Sequence, residues 1–266
     1  MKDLDQEESD EVFKYFSESF QDGFVRIGPK GYFYTSEMKD MAPIIYNMVA
    51  RPDDTWVVSF PKSGTTWIQE LVWLVANDFD YATAEAVPLV ARFPFIEGSM
   101  FKRSKKARTL FNFKGTEEQT EALFNSADHA AKLKSPRFIK SHLPLSMLPP
   151  ALLDTCKVVH IARDPRDIMD FPSTVQRVAK FLGKTVTEEQ MSRLCEHLAF
   201  NNFKRNKSVN MEFFKELNTT NTNASPFIRK GKAGGWRENF DEEMTRQAEQ
   251  WMADNLRDTD LRYPTV

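Results

Sequence analysis

The chain has few cysteines and histidines and no excess of either charge. Its 266 residues include two cysteines and four histidines. Two cysteines cannot form a disulfide framework, and such a low number is typical of a reducing compartment. Lys and Arg number 36 against 38 Asp and Glu, so the net charge is −2. This balance offers no general attraction to nucleic acid or to acidic membranes, so any anion must be bound by local basic sites.

The sequence also lacks long apolar runs, internal repeats and a linker. No apolar run reaches about 18 residues, the length that predicts a membrane-spanning helix. The first ten residues are acidic and polar, unlike a signal or transit peptide, so we expect a cytoplasmic protein. His129, His160 and His197 belong to no cluster with metal-ligand spacing, which predicts that the protein holds no metal.

The chain does contain apolar strands that alternate with helices. Strands are predicted at 57–58, 137–141 and 157–162, and the stronger helices are predicted at 117–133, 174–182, 187–197 and 241–256. This alternation predicts one α/β domain over residues 1–266, with three layers around a central parallel sheet. Residues 1–50 look irregular, apart from two amphipathic stretches.

The most informative segment is 56–67, which is typical of a strand, a tight basic loop and a helix. Thr65 and Thr66 are predicted to cap a helix that starts near Trp67. A helix N-terminus attracts anions, and Lys62 adds a full positive charge. The loop therefore predicts a cradle for a phosphate-type group. Its lysine precedes its only glycine, so it does not have the Walker A spacing.

The string from Pro61 to Trp67 resembles the phosphosulfate loop of the cytosolic, insect-like sulfotransferases. The resemblance implies a sulfotransferase fold that is similar to P-loop kinases. It also implies that the chain transfers a sulfuryl group from 3′-phosphoadenosine 5′-phosphosulfate (PAPS) to the hydroxyl of a small alcohol or phenol, of steroid or xenobiotic type. Trp67 would stack under the adenine with Phe200 as a second wall, although core packing is an equal alternative for Phe200. The donor would be bound by Lys62, Ser63, Gly64, Thr65 and Thr66.

A second motif, from Phe138 to Pro144, is a predicted strand that ends in Lys140 and is followed by His142. Sites in open α/β sheets form beyond the carboxyl ends of strands, and histidine is the usual general base near neutral pH. A hydrogen-bonding structural histidine is the alternative. The resemblance implies that His142 deprotonates the acceptor, that Lys140 steadies the sulfuryl group and that Lys62 neutralises the leaving oxygen. Phe95 is implied to contact the acceptor.

Two further basic segments follow in the family's order. Arg163 ends the strand at 157–162, and the resemblance assigns it to the 3′-phosphate of the nucleotide. Arg229, Lys230 and Gly231 are implied to close over the same phosphate. Without the resemblance, a solvated Arg–Asp turn and a flexible basic loop explain these segments.

The chain departs from the family after Asp170, where a central βαβ segment is missing. This loss leaves open a catalytically impaired nucleotide-binding or dimer-forming variant of the same family. A P-loop phosphotransferase is the other alternative. The family's dimer motif is not matched at 237–242, so the sequence does not decide between a monomer and a homodimer.

Overall fold

A three-stranded parallel sheet lies at the centre of the protein. The computed structural model describes residues 1–14, 23–101, 123–162, 171–210 and 240–261. In chain order the described strands and α-helices are β1 (Lys2–Asp3), α1 (Gln6–Phe13), β2 (Phe24–Ile27), β3 (Tyr32–Thr35), α2 (Met38–Tyr46), β4 (Thr55–Ser59), α3 (Thr65–Ala76), α4 (Tyr81–Ala86), α5 (Leu89–Arg92), α6 (Ser126–Lys132), β5 (Phe138–Ser141), α7 (Leu152–Thr155), β6 (Lys157–Ile161), α8 (Phe171–Leu182), α9 (Glu188–Leu198), α10 (Phe200–Arg205) and α11 (Glu242–Leu256). Short 3₁₀ turns cover Gly98–Phe101 and Leu145–Met147.

The strand order of the central sheet is β5-β4-β6, and both pairings are parallel. Val57 of β4 lies opposite Lys140 of β5 and Val159 of β6. Because all three strands run the same way, the segments that follow them emerge at one edge of the sheet. The predicted parallel sheet is confirmed, and its carboxyl edge carries the loop that follows β4 and the turn that follows β5.

Each face of this sheet supports its own hydrophobic core, which gives the predicted three layers. Val57 points to the face that packs on α3, α8 and α9. Trp56 and Val58 point to the other face, where they meet α2, α6 and the N-terminal strands. Burial of alternate residues on both faces explains why the centre of β4, residues 56–58, is apolar.

The expectation that residues 1–50 are irregular was wrong. Strands β1, β2 and β3 form a second, antiparallel sheet, in which Val25 pairs with Tyr34. The turn between β2 and β3 uses Gly28 and Gly31 at positive φ, a backbone state that glycine adopts at no steric cost. Strands this short contain too few alternations for the sequence pattern to reveal them.

The helix predictions agree better with the structure. Helix α9 begins after Thr187, which forms a capping box with Gln190, and α8 is followed by Gly183 at φ 73°. Helix α11 starts after Asp241, whose side chain caps it. Only part of the helix predicted at 117–133 falls within the described residues, and that part contains α6. Within these ranges, no helix is both long and apolar enough to cross a bilayer.

Candidate active site

The loop between β4 and α3 is shaped for an anion. Lys62 has φ 68° and Gly64 has φ 94°, so two of its residues adopt the left-handed conformation. That conformation costs a residue with a side chain roughly 1–2 kcal/mol, and strain of this kind concentrates at ligand loops. The strained backbone sets Lys62 directly before the N-terminus of α3.

The prediction that Thr65 and Thr66 cap this helix was wrong. Helix α3 begins at Thr65 itself, its N-cap is Gly64, and no side-chain cap is formed. The Thr65 hydroxyl instead lies 2.6 Å from the hydroxyl of Ser59 at the end of β4. A helix N-terminus without a side-chain cap directs its amide N–H groups and partial positive charge into the loop, where a bound anion can accept them.

Lys140 ends up buried beside this loop, because β5 pairs in register with β4. Its side chain is in an unusual setting for a lysine, with only 7% of the residue exposed. Burial lowers the pKa of Lys140 to about 8; the charge of Glu97 opposes this shift, and the nearby charge of Lys62 adds to it. The two lysines therefore concentrate positive charge at one point on the carboxyl edge of the sheet.

His142 follows β5 and is held against the end of β4. Its Nδ1 lies 2.8 Å from the carbonyl oxygen of Ser59. A carbonyl can only accept, so Nδ1 must carry the proton, and Nε2 keeps a lone pair. Burial lowers the pKa of His142 to about 3, and the charge of Lys140 adds to this effect. The imidazole is therefore neutral near pH 7, with Nε2 able to accept a proton.

Phe95 is brought to both of these residues. Its ring meets the imidazole of His142 edge-on at a centroid distance of 5.3 Å. The Nζ of Lys140 lies 4.5 Å from the centre of the same ring. Residues 94–96 run beside β5, since the amide of Lys140 donates to the carbonyl of Pro94 at 2.8 Å. An aromatic surface thus borders the candidate base.

Trp67 lies on the other side of the loop, in the first turn of α3. Its indole Nε1 donates to the carbonyl of Leu198 at 3.1 Å, which joins it to the end of α9. Phe200 begins the next helix two residues later and is half-buried. The structure therefore brings Trp67 close to the segment that carries Phe200, as a shared adenine site would require.

Four of the predicted binding residues lie outside the described residues. They are Arg163, Arg229, Lys230 and Gly231. Their assignment to the 3′-phosphate still rests on the sequence alone.

Metal ligation has no candidate within the part of the chain that the structure describes. There, no group of three or more His, Cys, Asp and Glu side chains could hold an ion. His197 lies with its Nε2 3.0 Å from a carboxylate oxygen of Glu70. The same carboxylate forms a buried ion pair with Arg92 at 2.8 Å, so this histidine belongs to a buried polar cluster that joins α3 to α9.

Glu97 is the residue at this site that sequence reasoning missed. One of its carboxylate oxygens accepts hydrogen bonds from the Ser141 hydroxyl and the His142 amide, both at 2.6 Å, and from the Leu143 amide at 2.9 Å. Glu97 is only 2% exposed. The available signal was an acid directly after the apolar string at 93–96, where a surface glutamate is not expected.

The chain is similar to sulfotransferases, both as a family and as individual proteins. The sulfotransferase domain family matches residues 52–170 and 168–260, which together are most of the chain. Luciferin sulfotransferase of Photinus pyralis is 25% identical over 320 aligned residues, which cover 92% of this chain and 84% of the relative. That alignment is longer than the 266 residues of the chain, so the chain must be gapped against this relative.

Two similar solved structures are both of retinol dehydratase. One is in complex with androsterone and the inactive cofactor PAP, the other with retinol and PAP. The first is 35% identical with a TM-score of 0.82, and covers 100% of this chain and 98% of that one. The second is 35% identical with a TM-score of 0.80, and covers 99% of this chain and 98% of that one.

Proposed function

This chain belongs to the sulfotransferase family, and on that premise we propose that it transfers a sulfuryl group from PAPS to the hydroxyl of a small apolar alcohol or phenol. The proposal rests on the position of three side chains relative to one another. The anion loop with Lys62, the buried Lys140 and the neutral His142 meet at one edge of the parallel sheet. That arrangement combines an anion site with a base for a hydroxyl proton.

The proposed reaction is an in-line displacement at sulfur. The acceptor oxygen forms a bond to sulfur while the bond from sulfur to the bridging phosphate oxygen breaks, and that oxygen leaves on PAP with the electron pair. The acceptor proton passes to Nε2 of His142. Lys62 neutralises the leaving oxygen, and Lys140 holds the sulfuryl oxygens. Positioning and charge stabilisation dominate reactions of this type.

The charges at the site make His142 a better base once the donor has bound. In the free protein, burial and the charge of Lys140 hold the pKa of His142 near 3. An anionic phosphosulfate beside Lys140 offsets that positive charge, and this raises the pKa of the imidazole. A base is most effective when its pKa approaches the working pH, so donor binding prepares His142 for the acceptor.

The nucleotide half of the site is proposed from both sequence and structure. The backbone and hydroxyls of Ser63, Gly64, Thr65 and Thr66 would hold the 5′-phosphosulfate, since the uncapped end of α3 fits such a group. Trp67 would stack under the adenine and Phe200 would form the second wall. The 3′-phosphate would be bound by Arg163, Arg229, Lys230 and Gly231.

The acceptor is proposed to be an apolar alcohol of steroid or retinoid type. Phe95 places an aromatic ring against His142, where the acceptor hydroxyl must arrive. The solved relative that is 35% identical holds androsterone in one structure and retinol in the other. Both compounds place one hydroxyl on a largely apolar skeleton, which suits an aromatic border.

The proposal includes a missing segment after Asp170. Two observations support it: the family match divides at residues 168–170, and the alignment to luciferin sulfotransferase requires gaps in this chain. In the family this region supplies a strand and part of the nucleotide site. A chain without those contacts that binds the nucleotide but turns over slowly is the alternative that the experiment must distinguish.

The test is transfer of radiolabelled sulfate from PAPS to a panel of androsterone, retinol and a simple phenol, with PAP binding measured by calorimetry. A parallel reaction contains a chelator, and products are checked for dehydrated acceptor as well as for the sulfate ester. We expect turnover that resists the chelator. Binding of PAP without turnover would instead establish the impaired variant, and chelator-sensitive transfer of phosphate from a nucleoside triphosphate would establish a phosphotransferase.

A first prediction concerns the pH dependence of PAP binding. Lys140 has a pKa of about 8 in the free protein, and a bound anion raises it. Above that pH the free lysine is neutral, so binding must take up a proton and affinity falls by up to about tenfold per pH unit. Calorimetry just above pH 8, in two buffers of different ionisation enthalpy, measures this proton uptake directly.

The matched control is Lys140→Arg, because arginine stays charged throughout this range. This variant should bind PAP without the extra proton uptake. Equal uptake by the variant and the natural protein would show that another group titrates.

A further inference from the structure

We propose that Glu97 is the positioning residue that sets His142 for proton transfer, an inference that rests on the proposed function. Glu97 does not contact the imidazole ring of His142. It acts on the backbone from which the ring projects, because a single carboxylate oxygen accepts from two successive amides, those of His142 and Leu143.

The turn after β5 closes around this one oxygen. The Ser141 hydroxyl donates to it at 2.6 Å and in turn accepts from the amide of Leu143 at 3.0 Å. The imidazole ring is held as well, because its Nδ1–H donates to the Ser59 carbonyl. His142 is thus held at its backbone by Glu97 and at its ring by Ser59, and this leaves little freedom in the direction of Nε2.

The burial of Glu97 is energetically unfavourable, which argues that the residue has a role beyond stability. A carboxylate that is 2% exposed has lost most of its hydration, and such burial costs several kcal/mol unless charges and hydrogen bonds offset it. Three donors satisfy one oxygen, but the other, Oε2, has no hydrogen-bond partner among the described residues. Burial raises the pKa of Glu97, and the bonds from Ser141 and His142 oppose that shift.

The charge of this carboxylate shifts the pKa of two neighbouring side chains. Glu97 acts to raise the pKa of Lys140, against the effect of burial. Together with burial, which has the larger effect, it raises the pKa of Tyr34 from β3 to about 12. The carboxylate thus keeps Lys140 charged while it orients His142, and both effects serve the same transfer step.

The experiment compares Glu97→Ala with Glu97→Gln in the full chain. Alanine removes the acceptor for all three donors, so we expect kcat to fall by about 10²-fold, the effect of a small misplacement of a reacting group. Glutamine keeps an oxygen in the same place, and we expect it to restore most of the lost kcat. PAP affinity, measured well below pH 7 so that Lys140 keeps its charge without Glu97, should stay within about twofold in both variants, because the effect lies in the transition state.

A spectroscopic measurement tests positioning without any turnover. The chain has four histidines, so isotope-labelled histidine gives a simple nitrogen spectrum in which His142→Ala identifies the signal of His142. We expect the Nδ1–H tautomer in the natural protein and a mixture of tautomers in Glu97→Ala. If the natural protein fails to transfer sulfate, the proposed function falls, while this spectrum still decides the role of Glu97.

The experiment includes one control variant and one substitute for Glu97→Ala. Asp54→Asn neutralises another buried carboxylate at the opposite edge of the sheet, and at a temperature where this variant is folded it should alter neither kcat nor the His142 signal. If Glu97→Ala does not fold, Ser141→Ala removes one of the three donors and should lower kcat by about tenfold with a partial change of tautomer. A folded Glu97 variant with unchanged kcat and an unchanged tautomer would overturn the proposal, as would equal changes in Asp54→Asn.

Discussion

Replacement of His142 with alanine is expected to lower kcat for sulfuryl transfer by about 10²–10⁴-fold, the range that a general base contributes. The reason lies in the geometry of one hydrogen bond. The Ser59 carbonyl holds the proton on Nδ1, 2.8 Å away, so Nε2 is the only ring nitrogen that can receive the acceptor proton. Alanine removes this nitrogen and leaves Lys62 and Lys140 in place.

Affinity for PAP should change little in this variant, because His142 carries no charge near pH 7 and is proposed to contact the acceptor. Initial rates at saturating PAPS, together with calorimetry of PAP, measure the two effects separately. His160→Ala is the matched control, since His160 lies in β6 of the same sheet with an exposed side chain. A large loss of PAP affinity would show that His142 is a binding or structural residue.

A second large effect is expected at the opposite edge of the same sheet. Arg137 precedes β5 and binds Asp54 through two parallel hydrogen bonds, Nε to Oδ1 at 2.8 Å and Nη2 to Oδ2 at 2.5 Å. The guanidinium also donates to the carbonyls of Ala130 and Val49. Arg137 is 2% exposed and Asp54 is fully buried, so removal of either side chain leaves an uncompensated buried charge.

Asp54→Ala should therefore lower the free energy of unfolding by about 3–5 kcal/mol. That is a large part of the 5–15 kcal/mol that typically stabilises a domain. Urea denaturation measures the loss, and PAP affinity at a temperature where the variant is folded should be unchanged. Lower stability with unchanged PAP affinity would show that Asp54 stabilises the fold and does not act at the nucleotide site.

Asp53→Ala is the control for this prediction, since Asp53 is the exposed neighbour of Asp54 and should cost little. The double variant Asp54→Leu with Arg137→Met removes both charges, and we expect it to recover much of the lost stability. A loss below about 1 kcal/mol in Asp54→Ala would mean that water reaches this pair.

The sequence was sufficient to predict the elements that are long or chemically distinctive. The segment at 56–67 predicted a strand, an anion loop and a helix because valines favour a buried strand, and proline, glycine and lysine constrain the backbone or the charge of the loop. Lys140 and His142 could be placed at the same edge because two apolar strands in a parallel sheet must end together. The helix predicted from residue 187 agrees with α9, whose start is fixed by a local capping box of Thr187 with Gln190.

The remaining features depend on contacts between distant parts of the chain. Thr65 has the chemistry of a helix cap, but a tertiary contact with Ser59 takes its hydroxyl instead. Glu97 lies 45 residues before His142 in sequence, and no local pattern joins an acid to a turn so far away. The N-terminal strands were missed for a different reason, because four residues contain too few alternations to be recognised.

The bond between His142 and Ser59 spans 83 residues of sequence, and this separation has a thermodynamic consequence. The anion loop and the base meet only after the long-range pairing of β4 with β5, so an unfolded chain has no affinity for the nucleotide. A ligand that binds only the folded state stabilises it, by about 2.7 kcal/mol at a hundredfold excess over its Kd. The donor nucleotide thus stabilises the fold as well as taking part in the reaction.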